Sequence, residues 1–301
     1  MLEEVARVLT DPLVVALVFW VLSDIVVERS GVINLALDGI ITVGIAVAFV
    51  STQHLSHTII LWGVDMAPIM SLLVTVATTV VLAALFMLFI NILHAYHVLT
   101  GLALNIAFYG LSALIGLRLQ KTPTIATLRL PPPVLASVGI LVVLFTWLIL
   151  YRTAIGMAVR ACGFNPRAAE HLGVRVWRVR FLASAIGYTL AGIGSYIYAV
   201  VYRGGWVQYT GRGYGFLAIT LAMASTWHPL LSYPIALAFG YLYTSAYALQ
   251  LLYGVHSEIV NALPYIASIA IVTVVYSTPL HKKLAAPRAL GEVYFKEERA
   301  A

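Results

Sequence analysis

"GMAVRACGFNPRAAEHLGVRVWRVR", residues 156–180, is a basic island in a chain of otherwise almost unbroken apolar sequence. It holds Arg160, Arg167, Arg175, Arg178 and Arg180, and Arg152 lies just upstream. Six of the 18 basic residues therefore fall within about 30 positions of a chain that is only 10% charged. Basic residues crowded into a short loop between apolar spans hold that loop on the cytoplasmic side of a membrane. The island also carries helix punctuation. Asn165 is a good N-cap and Pro166 suits the first helical position. "PRAAEHL" favours helix and Gly173 can end it. The expectation is a short helix of about two turns lying beside the membrane. An ordinary basic loop with one helical turn fits the same grammar.

The flanks set the class. The 301 residues are 61% hydrophobic, and mean hydropathy is +0.95. A soluble domain is about 25% charged, so a chain this apolar needs lipid as its solvent. The net charge of +6 lies in short loops, a pattern that sets orientation and argues against nucleic-acid binding. The single cysteine, Cys162, excludes an intramolecular disulfide and a multi-cysteine metal site. "MLEEVARVLTDP" is acidic and reads as the lead-in to a retained helix, with no cleaved signal peptide expected.

A helix needs about 20 apolar residues to cross the hydrocarbon layer. Candidate spans are 11–27, 32–50, 66–93, 98–117, 134–150, 181–202, 214–228 with its neighbour 232–253, and 258–279. The fold class is therefore all-α: a polytopic transmembrane helix bundle of about 8–10 spans with a short cytoplasmic helix. Residues 1–280 form one transmembrane domain containing the loop 151–180, and 281–301 form a tail. The tail carries Lys282, Lys283, Arg288, Lys296 and Arg299, and four crossings separate it from the loop, so both are expected in the cytoplasm. Counting 11–27 as one crossing puts the N-terminus outside. A broken or re-entrant helix in the first third would put it inside.

Polar residues inside the spans are the candidate path. Asn34, Asp38 and Thr42 stand at i, i+4, i+8 and share one helix face. Gly101, Asn105, Tyr109 and Ser112 form a second stripe. An ionisable group at membrane depth faces a cavity or the bundle interior. Lining a polar route and bonding helices together both satisfy that requirement. Asp24 and Glu28 share a face, and Glu28 with Arg29 reads as an interfacial charge pair. Gly187, Ala191 and Gly194 read as a close-packing surface. The tyrosines of the C-terminal half, including Tyr188, Tyr196, Tyr198, Tyr202, Tyr241, Tyr243 and Tyr247, read mainly as membrane-interface belts, with stacking on a nucleobase as the other use. "YRGGWVQYTGRGYG", 202–215, is a Gly-rich external loop that could receive a partner or simply turn the chain. His54 and His57, and His94 and His97, lack the further ligands of a metal site.

Four stretches together resemble ABC importer permeases of the group containing the branched-chain amino acid, simple-sugar and nucleoside permeases. They are the island extended to "FLASAIGYTLAGIGS", "ERSGVINLALDGI" at 28–40, "VLTGLALNIAFYGL" at 98–111, and "LPYIASIAIVTVV" followed by "APRALGEVYFKEER". They occur in family order over most of the chain. The last resembles the nucleoside and simple-sugar branch. Asp38 departs from the Glu common there, and His94, Ala95 and Tyr96 depart from an "NQ"-like pair. The resemblance implies a transport subunit, not an enzyme, that moves nucleosides or related simple sugars by alternating access. It implies no cofactor on this chain. ATP would be used by a separate ATPase, and none of Lys121, Lys282, Lys283 or Lys296 follows a glycine as a phosphate-cradling loop requires. Implied partners are that ATPase, a second and different permease chain, an extracytoplasmic substrate-binding lipoprotein and membrane lipid. Asn165, Pro166, Ala168, Ala169 and Gly173 would form the ATPase coupling helix. Other readings are a permease for branched-chain amino acids or another small solute, an ATP-independent channel or secondary transporter, and a membrane-embedded enzyme.

Overall fold

The computed structural model describes residues 8–55, 60–61, 64–117, 130–254, 256–278 and 286–295. Lys121, Lys282, Lys283, Lys296, Arg299 and His57 lie outside the described residues. Eleven helices carry the fold among those described: α1 (Pro12–Glu28), α2 (Leu37–Leu55), α3 (Ala67–Asn91), α4 (His97–Gly116), α5 (Pro132–Arg152), α6 (Ala154–Phe164), α7 (Pro166–His171), α8 (Val176–Tyr196), α9 (Tyr214–Ala224), α10 (Pro229–Tyr253) and α11 (Ser257–Ser277). Residues Ile197–Arg203 continue α8 as a π-helical turn. A two-stranded antiparallel ribbon, Ile60–Leu61 with Val64–Asp65, precedes α3. Five of these, α2, α3, α4, α5 and α8 with its extension, are long and apolar enough to cross a membrane. The chain is a multi-pass α-helical bundle.

The span expected at 214–228 is a shorter element. Its helix is 11 residues, Tyr214–Ala224, a length of roughly 16 Å that reaches about half way through the hydrocarbon. Ser225 ends it, and Thr226 and Trp227 turn the chain with positive φ before α10.

α1 is the axis of the bundle. Asp11 accepts from the Leu13 amide at 2.8 Å and Pro12 fills the first position, so the start is fixed by local chemistry. Every residue from Leu13 to Glu28 is buried. α8 lies against α1 and α3, and small residues set the approach. A Cβ on Gly187 would sit 2.6 Å from Val27, one on Gly194 2.9 Å from Phe19, and one on Gly192 2.9 Å from Val76. The Trp20 indole adds a bond to the Ala191 carbonyl at 3.2 Å. The outer face is the reverse of a soluble protein's. Leu99, Ile106 and Leu114 on α4 and Leu141, Phe145 and Leu148 on α5 are exposed, as befits side chains whose solvent is hydrocarbon.

Candidate functional site

Between α1 and α2 the chain is not helical. Residues 29–31 turn, with Gly31 at φ +92°, and 32–36 stay non-helical before α2 begins, with Asn34 against Asp24 and Glu28 of α1. This break builds the first polar cluster. Asn34 Nδ2 donates to Asp24 Oδ1 at 3.0 Å, and the Tyr188 hydroxyl donates to Asn34 Oδ1. Trp227 Nε1 donates to Glu28 Oε2 at 2.6 Å, and the Asn34 amide to Glu28 Oε1 at 3.4 Å. Glu28 is therefore not half of an interfacial charge pair. It is buried, while Arg29 donates to the carbonyls of Trp227 and Thr226 at 2.9 and 3.3 Å. Tyr188, Tyr196 and Tyr198 are also buried, which overturns a membrane belt for these three. Tyr198 instead joins Trp20, Tyr202 and Tyr214 in an interior aromatic group with ring centroids 5.2–5.7 Å apart.

The second cluster is organised by Asp38, in the first turn of α2. Its Oδ1 accepts from the Gly213 amide at 2.9 Å and the Gly215 amide at 2.6 Å, and Tyr109 donates to Oδ2. Gly213 and Gly215 bracket the start of α9, so one helix's carboxylate caps the N-terminus of another. That terminus carries unpaired amides and partial positive charge, and a carboxylate satisfies both. Contact is close because no side chain intervenes: a Cβ on Gly215 would lie 2.2 Å from Asp38 Cα. Asn105 spans the break from α4, accepting from the Gly39 amide at 2.6 Å and donating to the Leu35 carbonyl. Thr42 Oγ1 donates to the Asp38 carbonyl at 2.7 Å, and Ser112 donates to the Thr42 carbonyl at 3.1 Å.

A cavity of about 670 Å³ opens beside this cap, lined by Asn105, Tyr109, Tyr209, Arg212, Gly213, Phe216 and Tyr265 with Leu102 and Ile106. The Arg212 guanidinium stands over the rings of Tyr109 and Tyr209, 4.9 and 5.6 Å from their centroids. Of the four residues read as path-lining, Asn105 lines this cavity. Asp38 stands behind Tyr109 and Gly213, Thr42 continues its helix, and Asn34 belongs to the Asp24 cluster. Arg212 and Tyr265 were not singled out in the sequence. The Gly-rich run 202–215 was the available signal, since glycine permits the backbone approach that Asp38 exploits.

The basic loop contains the expected capped helix. Asn165 Oδ1 accepts from the Ala168 amide at 2.9 Å, and Gly173 has φ +87°. Gly173 N bonds Glu170 O at 2.9 Å and Val174 N bonds Ala169 O at 3.0 Å, the paired bonds of a left-handed helix stop. A second helix, α6, precedes it, capped by Thr153. One expectation changes. Ala169 is buried with Cys162 and Val176, and Pro166 is buried too, so neither presents a face to a partner. Arg167, Ala168, His171 and Leu172 form the exposed side, with Leu172 85% exposed. Residues 286–295 strap this end together. Ala289 N bonds Gly163 O at 2.9 Å and Gly291 N bonds Gly31 O at 3.0 Å. Tyr294 packs on the Ala169 cluster, and Phe295 lies 4.7 Å from His94. Burial pushes the Cys162 thiol up to about 11, against a lowering pull from Arg180 and with Glu170 adding to the rise. Among the described residues no three His, Cys, Asp or Glu side chains are grouped to hold a metal.

The family described as branched-chain amino acid transport system / permease component matches residues 10–275. The chain belongs to this permease family. It is 26% identical to the nucleoside ABC transporter permease protein NupC of Lactococcus lactis, with 94% of each chain covered. It is also 26% identical to the guanosine ABC transporter permease protein NupQ of Bacillus subtilis, again over 94% of each. A putative glucose ABC transporter permease, TsgC13 of Haloferax volcanii, is 25% identical over 92% of this chain and 93% of its own. No solved structure matches.

Proposed function

We propose that this permease is the membrane half-channel of an ATP-driven importer for nucleosides or related simple sugars. The observation that carries the reading is the cavity beside Asp38. Tyr109, Tyr209, Phe216 and Tyr265 offer ring faces, and Asn105 and Arg212 offer polar groups. A few polar groups among aromatic walls suit a flat or ring-shaped polar solute. The names of the relatives point to the same solutes. Asn34, Asp38 and Thr42 hold the wall of this route while Asn105 lines it. A second, different permease chain closes the path, and an extracytoplasmic lipoprotein delivers solute. A separate ATPase docks on the α7 face through Ala168 and Leu172, with Asn165 and Gly173 fixing the helix ends. Loop 151–180 and the C-terminus face the cytoplasm.

The test is uptake of labelled guanosine, uridine, ribose and leucine by cells expressing the chain with its neighbouring transport genes. Competition by nucleosides, and loss of uptake in Arg212→Gln with normal membrane yield, is the expected result. Leucine uptake untouched by excess nucleoside would replace the substrate class. Uptake that persists in cells lacking the ATPase would replace the ATP-driven reading.

A further inference from the structure

We infer that a second cavity, at the basic-loop end of the bundle, is a binding site for the phosphate headgroup of an anionic phospholipid. The cavity measures about 590 Å³ and is lined by Arg29, Arg160 and Arg288 with Met157, Phe164 and Pro287 among their neighbours. Three guanidinium groups from three separate elements meet there, and among the described residues no acidic side chain lines it. The Arg160 Nε is buried and makes no hydrogen bond. Its guanidinium stands 4.7 Å from the Tyr151 ring centroid, and that of Arg288 4.9 Å from the Phe164 ring. Arg29 is oriented by its two carbonyl acceptors, which leave its positive charge uncancelled. A buried guanidinium donor without an acceptor is costly, and like charges gathered without a counter-charge repel. A phosphate relieves both, because its oxygens match the planar fork of arginine.

The surroundings select a lipid as the source of that phosphate. Arg160 rests on Tyr151, in the last turn of α5. The face of α5 that carries Tyr151 also carries Ile140 and Leu144, both exposed and apolar. Met157 and Phe164 at the cavity are exposed too. A headgroup in the arginine cavity therefore places its acyl chains along an apolar track already present. Basic pockets at the cytoplasmic ends of transmembrane helices hold anionic headgroups by this arrangement. The inference rests on the cytoplasmic placement of this end and is independent of the transported solute.

The experiment uses the full chain purified in mild detergent and native mass spectrometry. Probes are phosphatidylglycerol, phosphatidylcholine of the same acyl chains, and inorganic phosphate. One phosphatidylglycerol per chain is expected to survive where phosphatidylcholine is stripped. Arg160→Gln with Arg288→Gln should cut that occupancy by about ten-fold. Arg175→Gln with Arg178→Gln removes the same charge from the exposed loop and should leave occupancy within about two-fold. Both pairs must match the wild type in monodispersity, and Arg160→Lys, which keeps the charge but not the fork, should be intermediate. Equal loss in the two pairs would mean diffuse attraction by the loop and overturn the site. Displacement by millimolar inorganic phosphate would assign it to free phosphate. Absence of the lipid only when the ATPase is bound would assign the arginines to an acidic surface of that partner.

Discussion

Asp38 shows how one residue can fix the geometry of several elements. Its carboxylate takes two amides at the start of α9 and a phenol from α4. Asp38→Leu leaves those donors unpaired in the interior, each at about 1–3 kcal/mol. The expected result is a lower thermal midpoint of the purified chain together with loss of uptake. Asp38→Asn keeps one acceptor oxygen and should lose less of both. A wild-type midpoint for Asp38→Leu with abolished uptake would mean that the carboxylate meets the solute and is not needed as a cap. Cys162 makes a second expectation at this scale. It is fully buried, and its thiol is held well above neutral pH by that burial. Nucleophilic attack needs the thiolate, so a maleimide at pH 7.5 should leave the native chain unlabelled and modify it only in denaturant. Rapid labelling of the native chain would show that the Cys162–Ala169–Val176 cluster opens.

At the scale of elements, α7 was legible because its ends are written locally. Asn165, Pro166 and Gly173 each act within a few residues of themselves, and the structure has all three in those positions. The side that α7 turns outward was not legible, because a helix of six residues has too short a pattern to define a face. That face depends on packing against Cys162 and Val176 on the flanking helices and on the distant Tyr294. The two adjacent alanines now separate the possibilities. Ala168→Trp adds bulk to an exposed position and should leave the thermal midpoint unchanged while reducing co-purification of the ATPase. Ala169→Trp drives an indole into the buried cluster, and overpacking of that kind costs about 1–3 kcal/mol or more. It should lower the midpoint directly. Equal ATPase retention in Ala168→Trp and the wild type would remove α7 from the docking surface. The half-length of α9 was illegible for a related reason. Its start at 214 matches the expectation, but its stop at Ser225 goes with the positive φ of Thr226 and Trp227 and the bond of Trp227 to the distant Glu28. The strap at 286–295 was hidden too, since glycine and alanine amides that bond Gly31 and Gly163 leave no periodic signature.

For the whole molecule, the governing question is which way the bundle stands in the membrane. The number of crossings alone cannot answer it, because a broken α1–α2 connection and a half-length α9 both confuse parity. Contact between distant segments gives a firmer relation. Residues 286–295 bond Gly163 and Gly31, and Arg180 at the start of α8 donates to the Glu292 carbonyl at 3.4 Å. The basic loop, the α1–α2 turn and the C-terminal strap therefore share one end of the bundle, whatever the count. Five arginines within 152–178 lie at that end or beside it, and positive residues in short loops stay in the cytoplasm. Leu172, 85% exposed on α7, is the place to test this. Because Cys162 is buried, Leu172→Cys reports alone and needs no cysteine-free background. In intact cells a membrane-impermeant maleimide should leave it unmodified, and permeabilisation should expose it. Bound ATPase should slow that labelling, since α7 would then be covered. Prompt modification from outside intact cells would invert the molecule, move the arginine cavity to the outer leaflet, and take the ATPase docking face and the cytoplasmic lipid site with it.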